Sequence, residues 1–251
     1  MSRLKIYTLF ILYIVTALTA SAQHDEVEKN RPYTDLRPLH FGIVVGTNMQ
    51  DMELDNVGPQ RLTMPDDSEM QSNIYCDQHN WDMGFNVGVL AEARLNEYFA
   101  LRFAPQLYFG SRNIRFINYG QTNSEGGLKT EVESLKSVFV GADIDLIYTA
   151  KRHNNHRPYI MTGIAPMFNL SSNSSHYFQM KTAEVFFEVG LGCDFYLPFF
   201  KLRPELKFML GLSNMLKDNH PNGIKDETIF PYAASVNKAT SKMIVLSFYF
   251  E

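Results

Sequence analysis

Apolar and polar side chains alternate with a period of two in eight separate stretches, and no other feature constrains the fold as tightly. In the second stretch Met83, Phe85, Val87, Val89, Ala91 and Ala93 share one side, with Asp82, Gly84, Asn86, Gly88, Glu92 and Arg94 on the other. The third sets Phe99, Leu101, Phe103, Leu107 and Phe109 against Arg102, Gln106 and Tyr108. The fourth sets Val138, Val140, Ala142, Ile144 and Leu146 against Gly141, Asp143 and Asp145. The sixth sets Val185, Phe187, Val189, Leu191, Cys193 and Phe195 against Glu188, Gly190, Gly192 and Asp194. The seventh sets Leu202, Leu206, Phe208 and Leu210 against Lys201, Arg203, Glu205 and Lys207. Residues 39–50 and 159–168 repeat the pattern less cleanly, and 243–250 closes it with Ile244, Leu246, Phe248 and Phe250 in phase. Beyond Gln23 no stretch sustains a helical period.

Strands of about 10–13 residues are twice the usual globular length and match the ~9–11 tilted residues that cross a bilayer. Their connections alternate in length. Short turns fall near Asn96, at 150–157 and at Leu197-Pro198-Phe199, whereas about 51–80, 117–134, 170–182 and 213–241 form long loops. Short turns at one end and long loops at the other predict an all-β fold: an eight-stranded antiparallel up-and-down transmembrane β-barrel with a side-chain-filled lumen and both termini in the periplasm. A spanning sheet must close, because an open edge leaves backbone groups unpaired in lipid. A soluble β-sandwich or lipocalin-like barrel shares the alternation with the faces reversed; strand length, loop asymmetry and the Phe-rich last strand favour the membrane. Pro105, Pro166 and Pro204 fall inside strands and predict bulges or breaks in the hydrogen-bond ladder.

A mean hydropathy of −0.19 excludes a bundle of transmembrane helices. Arg3, Lys5, the apolar run Ile6 to Leu18 and Ala20-Ser21-Ala22 make a cleavable signal over 1–22. Residues 23–38 then form a periplasmic N-terminal segment and 39–251 the barrel. Cleavage takes the net charge from −4 to −6, a surface with no reason to bind nucleic acid. Cys76, in a loop, and Cys193, on the outer phase of a strand, are too few and too far apart in context to suggest a disulfide framework.

Asp82, Glu92, Arg94, Arg102, Asp143, Asp145, Glu188, Asp194, Arg203, Glu205 and Lys207 take the inward phase, where buried charges must pair across the interior. Nothing in the sequence joins one of these carboxylates to a nucleophile, so no catalytic, cofactor-binding or small-molecule site is expected. His153 and His156, in the basic turn 151–157, could supply two ligands to a zinc ion but lack others, and a solvated turn is the simpler reading. The acidic stretch 51–80 (Asp51, Glu53, Asp55, Asp66, Asp67, Glu69, Asp77) reads as a solvated loop, with divalent cations or a basic partner as the alternative. Gly190-x-Gly192 lacks the rest of a dinucleotide motif. Asn169-Leu170-Ser171 and Asn173-Ser174-Ser175 match glycosylation sequons.

Several segments resemble the PorT family, outer-membrane β-barrels of the type IX secretion system of Bacteroidetes. They are Leu39-His40-Phe41-Gly42 with Gly46-x-Asn48-x-Gln50-Asp51, Gly84-Phe85-x-Val87-Gly88-Val89 running into Arg94-Leu95-Asn96, and Arg157-Pro158-Tyr159-Ile160-Met161-x-Gly163. The longest are Gly192-Cys193-Asp194-Phe195-Tyr196-Leu197-Pro198-Phe199-Phe200-Lys201-Leu202 and Lys238-Ala239-Thr240-Ser241-Lys242-Met243-Ile244-Val245-Leu246. The resemblance implies a non-enzymatic role in exporting proteins with C-terminal secretion signals, and in some relatives gliding, among other secretion-system proteins, outer-membrane lipid and lipopolysaccharide. It supplies no catalytic or binding residues. The alternatives are a structural or adhesive small barrel, and a barrel enzyme acting on lipid A.

Overall fold

The computed structural model describes residues 29–251 apart from 79, 124–125, 172–174, 176, 219, 222–223 and 225. The signal expected over 1–22 and the sequon at Asn173 lie outside the described residues. The strands are β1 (Leu39–Asn56), β2 (Gln60–Thr63), β3 (Glu69–Ser72), β4 (Ile74–Asp77), β5 (Asp82–Arg94), β6 (Phe99–Thr122), β7 (Leu128–Thr149), β8 (His156–Asn169), β9 (Ala183–Tyr196), β10 (Lys201–Gly211) and β11 (Val236–Phe250). A single helical turn, α1 (Phe230–Ala233), precedes β11. β1 and β5 to β11 pair antiparallel with their sequence neighbours, and β11 returns to β1 (Ile43 opposite Phe250) while β6 pairs with β7. The ring is closed, an eight-stranded up-and-down barrel with no free edge through its wall. β2 and β3 form a separate hairpin, and β4 adds to β6 above the end of β5.

The strands run further than alternation alone indicates. β6 has 24 residues and β7 has 22, so the loop expected over 117–134 is mostly a two-stranded ribbon. The reason is an inversion of polarity along each strand. From Phe99 to Phe109 the outer phase of β6 is apolar; beyond Arg112 the buried phase becomes Ile114 and Phe116 while Asn113 and Arg115 are exposed. β1 inverts at the same level: Phe41, Ile43, Val45 and Met49 face out below it, whereas Met52 is buried with Asp51, Glu53 and Asp55 on the outer phase above it. The apolar-out zone of β6, Phe99 to Phe109, has the length that spans hydrocarbon, and the inverted zone is built like a soluble sheet. The acidic stretch 51–80 is accordingly not a loop: it holds the top of β1, the β2–β3 hairpin and β4, with its seven acids dispersed among them. In the same way 213–241 contains α1 and the start of β11.

Each of the three prolines expected to disturb a strand, Pro105, Pro166 and Pro204, interrupts one ladder without shifting register. Between β5 and β6 the pairs Gly88–Gln106 and Ala91–Phe103 keep one register across a gap at Pro105. The same gap appears at Pro166 between β7 and β8 and at Pro204 between β9 and β10. A missing N–H costs a bond on one side only, so the other ladder stays intact, and breaks rather than bulges result.

The outer band gives a direct test of membrane placement. Phe103→Arg, at mid-height on the lipid side, is expected to cost about 2–4 kcal/mol in urea unfolding from phospholipid vesicles. Ser134→Arg, on the outer phase of the inverted zone, should change stability by about 0.5 kcal/mol or less.

Candidate functional site

The lumen is filled at every level, and the filling begins at the short-turn end. Residues 29–38 cross the barrel mouth as a strap. Asn30 donates to the Tyr196 carbonyl at 3.0 Å, Arg31 donates to the Glu251 carbonyl at 2.9 Å, and the inward-facing Tyr196 hydroxyl donates to Asp35 at 2.6 Å. Arg152 reaches from the β7–β8 turn, stacks 3.6 Å from the Tyr196 ring centre and donates to the Asn30 carbonyl at 2.5 Å. Asp35 also lies 3.8 Å from both Arg152 and Arg157.

Above the strap, Arg203 grips three carboxylates: Asp194 at 2.6 Å, Glu92 at 2.5 Å and Glu251 at 2.6 Å. Lys201 pairs with Glu251 from the same strand. Arg102 donates to Glu205 at 2.7 Å, lies 3.5 Å from Glu92, and sits over the Tyr249 ring at 4.4 Å. The Tyr159 and Tyr249 hydroxyls donate to the same Glu205 carboxylate at 2.7 and 3.0 Å. At mid-height Lys207 pairs with Asp143 and lies 3.3 Å from Glu188, while Gln106 and Tyr108 donate to Asp143 at 2.6 and 3.0 Å. Asp145 lies 3.7 Å from Arg102, and Lys207 and the Glu188 side chain act on it as well, so its burial is offset by the cluster and not by one ion pair. Asn86 joins Gln106 to Ser247. Seven carboxyl groups (Glu92, Asp143, Asp145, Glu188, Asp194, Glu205 and Glu251) share four cations (Arg102, Lys201, Arg203 and Lys207) in this network, which therefore couples its members so that none titrates alone.

At the long-loop end the lumen turns apolar. Arg112 donates to Gln50 at 3.2 Å beneath a cap of Met52, Ile74, Cys76, Ile114, Phe116, Leu135, Phe178, Met180, Met215 and Tyr232. Phe116 lies 4.8 Å from the Tyr177 ring centre and 5.7 Å from that of Tyr232. The edge of β4 toward β1 is closed by one side chain: Asn56 accepts from the Cys76 N–H at 2.7 Å and donates to its carbonyl at 2.8 Å. Cys76, expected in a loop, is therefore buried on β4, where burial pushes its thiol well above the usual range. Cys193 is free on the outer phase of β9.

His220 ties the cap together. Its Nδ1 accepts from the Gln179 N–H at 3.5 Å, and its Nε2 lies 3.0 Å from the Ala233 carbonyl. Burial lowers its pKa from 6.5. The opened cap then binds more protons than the closed one, so closure weakens as pH falls through about 6.5 and is unaffected well above it. Exchange of the Gln179 amide, corrected for intrinsic rate, should accelerate between pH about 7.5 and about 5.5, and His220→Gln should remove that dependence.

Nine of the eleven charges expected inside are buried there: all except Asp82 and Arg94, which sit at the two ends of β5. Asp82 instead accepts from Asn113 in the inverted zone, and Arg94 donates to the Asn96 carbonyl. His153 and His156 face each other across a two-residue turn with ring centres 5.2 Å apart. Among the described residues no three His, Cys, Asp or Glu side chains are placed to hold a metal. Asn169 ends β8 by accepting from the Ser171 N–H and hydroxyl, each at 2.9 Å. Arg112, Glu251 and the strap are the additions that alternation in the eight stretches did not single out.

The sequence matches the outer membrane protein beta-barrel domain family over residues 21–217. The chain belongs to that family. It is a protein of the outer membrane, and its closed ring and apolar-out zone are the family's barrel. Among solved structures it is similar to Neisserial surface protein A (12% identity, 85% of this chain and 98% of that one, TM-score 0.41). It is also similar to Ail, the attachment invasion locus protein of Yersinia pestis (9% identity, 84% and 96%, TM-score 0.36). A third is the outer membrane protein AlkL (10% identity, 92% and 95%, TM-score 0.35). No curated protein sequence is detectably similar to this chain.

Proposed function

We propose that this barrel is a non-enzymatic component of a protein export machine of the outer membrane, of the type IX class that its sequence resembles, acting as a docking element and not as the pore. The observation that carries the reading is the lumen, occupied from the strap through the Arg203, Arg102 and Lys207 clusters to the apolar cap. A polypeptide cannot pass such a lumen without stripping at least four buried cations of their partners. In this reading the signal over 1–22 exports the chain, the short-turn end and both termini face the periplasm, and the cap stands outside among lipopolysaccharide. Deleting the gene should abolish secretion of cargo bearing C-terminal secretion signals, and expressing the full chain should restore it. Normal secretion in the deletion strain would contradict the proposal. A structural or adhesive barrel is the second reading, supported by the polar-out sheet that β6 and β7 raise above the band; deletion would then spare secretion and reduce surface attachment or envelope integrity.

A further inference from the structure

The strap buries the polar face of residues 29–38 and leaves two large apolar side chains in water. Tyr33 is 76% exposed and Leu36 is 62% exposed, at either end of the turn Thr34–Leu36. Such exposure is not explained by lipid. Between them Asp35 accepts from the hydroxyl of Tyr196, a lumen residue, so the turn lies over the barrel mouth and not against the outer wall. Acyl chains reach the wall residues Leu39 and Phe41 that follow, but not the mouth.

The surroundings of this pair are basic. A cleft of about 490 Å³ separates the strap from the β5–β6 and β7–β8 turns and is lined by Tyr33, Leu36, Arg94, Lys151, Arg152 and Arg157, with Asp35 and Glu97 as its acids. Asp35 compensates Arg152 and Arg157. Arg94 and Lys151 form no ion pair among the described residues; Arg94 only donates to a backbone carbonyl at 3.2 Å. Arg37 and Lys29 add two exposed cations on the strap itself. Among the described residues this is a local excess of positive charge, on a chain whose net charge is −4. An aromatic and an aliphatic anchor beside the two unpaired cations Arg94 and Lys151 has the anatomy of a protein interface core with a charged rim.

We infer that the short-turn face docks an acidic protein surface of the periplasm, its apolar contact seated on Tyr33 and Leu36 and its carboxylates on Arg94 and Lys151. The inference rests on the docking role proposed above and deepens it by naming the face and the chemistry of the partner. Arg94 and Lys151 steer and orient the partner, while Tyr33 and Leu36 set its residence time.

The test is photo-crosslinking of the full chain in its native outer membrane, with a photoreactive phenylalanine analogue in place of Tyr33 or Leu36. The expected product is one discrete protein adduct whose contact peptide is rich in Asp and Glu. Arg94→Glu with Lys151→Glu should lower its yield about tenfold or more, whereas Lys238→Glu at the opposite end should not. Retained heat-modifiable mobility shows that each variant has folded. Adducts to phospholipid alone, adducts between copies of this chain, a contact peptide without acids, absence of an adduct, or a yield insensitive to charge reversal would each overturn the inference. Secretion measured in the same strains keeps the two proposals apart. Loss of secretion on gene deletion without an acidic adduct removes this face and leaves the export role, and normal secretion with an acidic adduct does the reverse.

Discussion

Replacing Arg203 by alanine is expected to lower the unfolding free energy by about 3–5 kcal/mol, or to prevent folding altogether. Arg203 is wholly buried and its guanidinium holds Asp194, Glu92 and Glu251 at 2.5–2.6 Å while lying 4.9 Å from the Tyr159 ring centre. Truncation strands three carboxylates in the lumen, with Lys201 the nearest remaining cation for Asp194 and Glu251. The loss is larger than that of a salt bridge in water because the penalty is the desolvation of the acids left behind. Arg203→Lys restores the charge but not the fork and should recover only part of the stability. Arg37→Ala, exposed on the strap, should leave unfolding within about 0.5 kcal/mol of the parent. Urea titration from phospholipid vesicles, read by tryptophan fluorescence and by heat-modifiable mobility, measures all three. Wild-type stability in Arg203→Ala would mean that the network does not hold the barrel together.

A second large effect is expected at Gly163, which lies on β8 directly opposite Asp145 of β7 on one side and Glu188 of β9 on the other. A Cβ there would run into the Ile144 carbonyl oxygen and the Asp145 carboxylate. The carbonyl belongs to the ladder and cannot yield, so Gly163→Leu overpacks the narrow lumen and pushes Asp145 away from Arg102. Overpacking alone costs about 1–3 kcal/mol, and the displaced ion pair adds to it, so the folded band should disappear or unfold at much lower urea. Gly120→Ala, whose methyl would meet only Asn118 Oδ1 at 3.3 Å near the long-loop end, should be tolerated.

Why the inward charges could be read in advance, and other features not, follows from what alternation encodes. Glu92, Arg102, Glu188 and Arg203 sit in stretches whose outer phase is apolar throughout, so period two alone assigns them to the lumen. Glu251 obeys the same rule one step past Phe250, although a terminal position gives no second residue to fix the phase. The rule fails where solvent changes. Ile114, Phe116 and Leu135 are apolar and inward while Asn113 and Arg115 are polar and outward, the opposite sense to the band below. A strand that keeps its period while its environment switches from lipid to water therefore reads as two pieces, and its upper piece as loop. Cys76 reads as a loop residue for the same reason, since β4 is short and is held by the side chain of Asn56, 20 residues earlier. The strap left no local signal at all: Asn30 and Arg31 bond to carbonyls of Tyr196 and Glu251, and backbone acceptors carry no residue identity. The prolines were half legible, because a missing N–H announces a broken ladder but not whether register survives.

Ion conductance tests the central claim most directly. Mature full-length protein reconstituted into a planar bilayer should insert, as judged by its heat-modifiable folded band, and leave the conductance at baseline under applied voltage, because the charged clusters, strap and cap fill the lumen at successive heights. A steady ohmic current from the folded, strap-bearing protein would mean that an aqueous path runs through the barrel, and would contradict the account of it as a closed docking element.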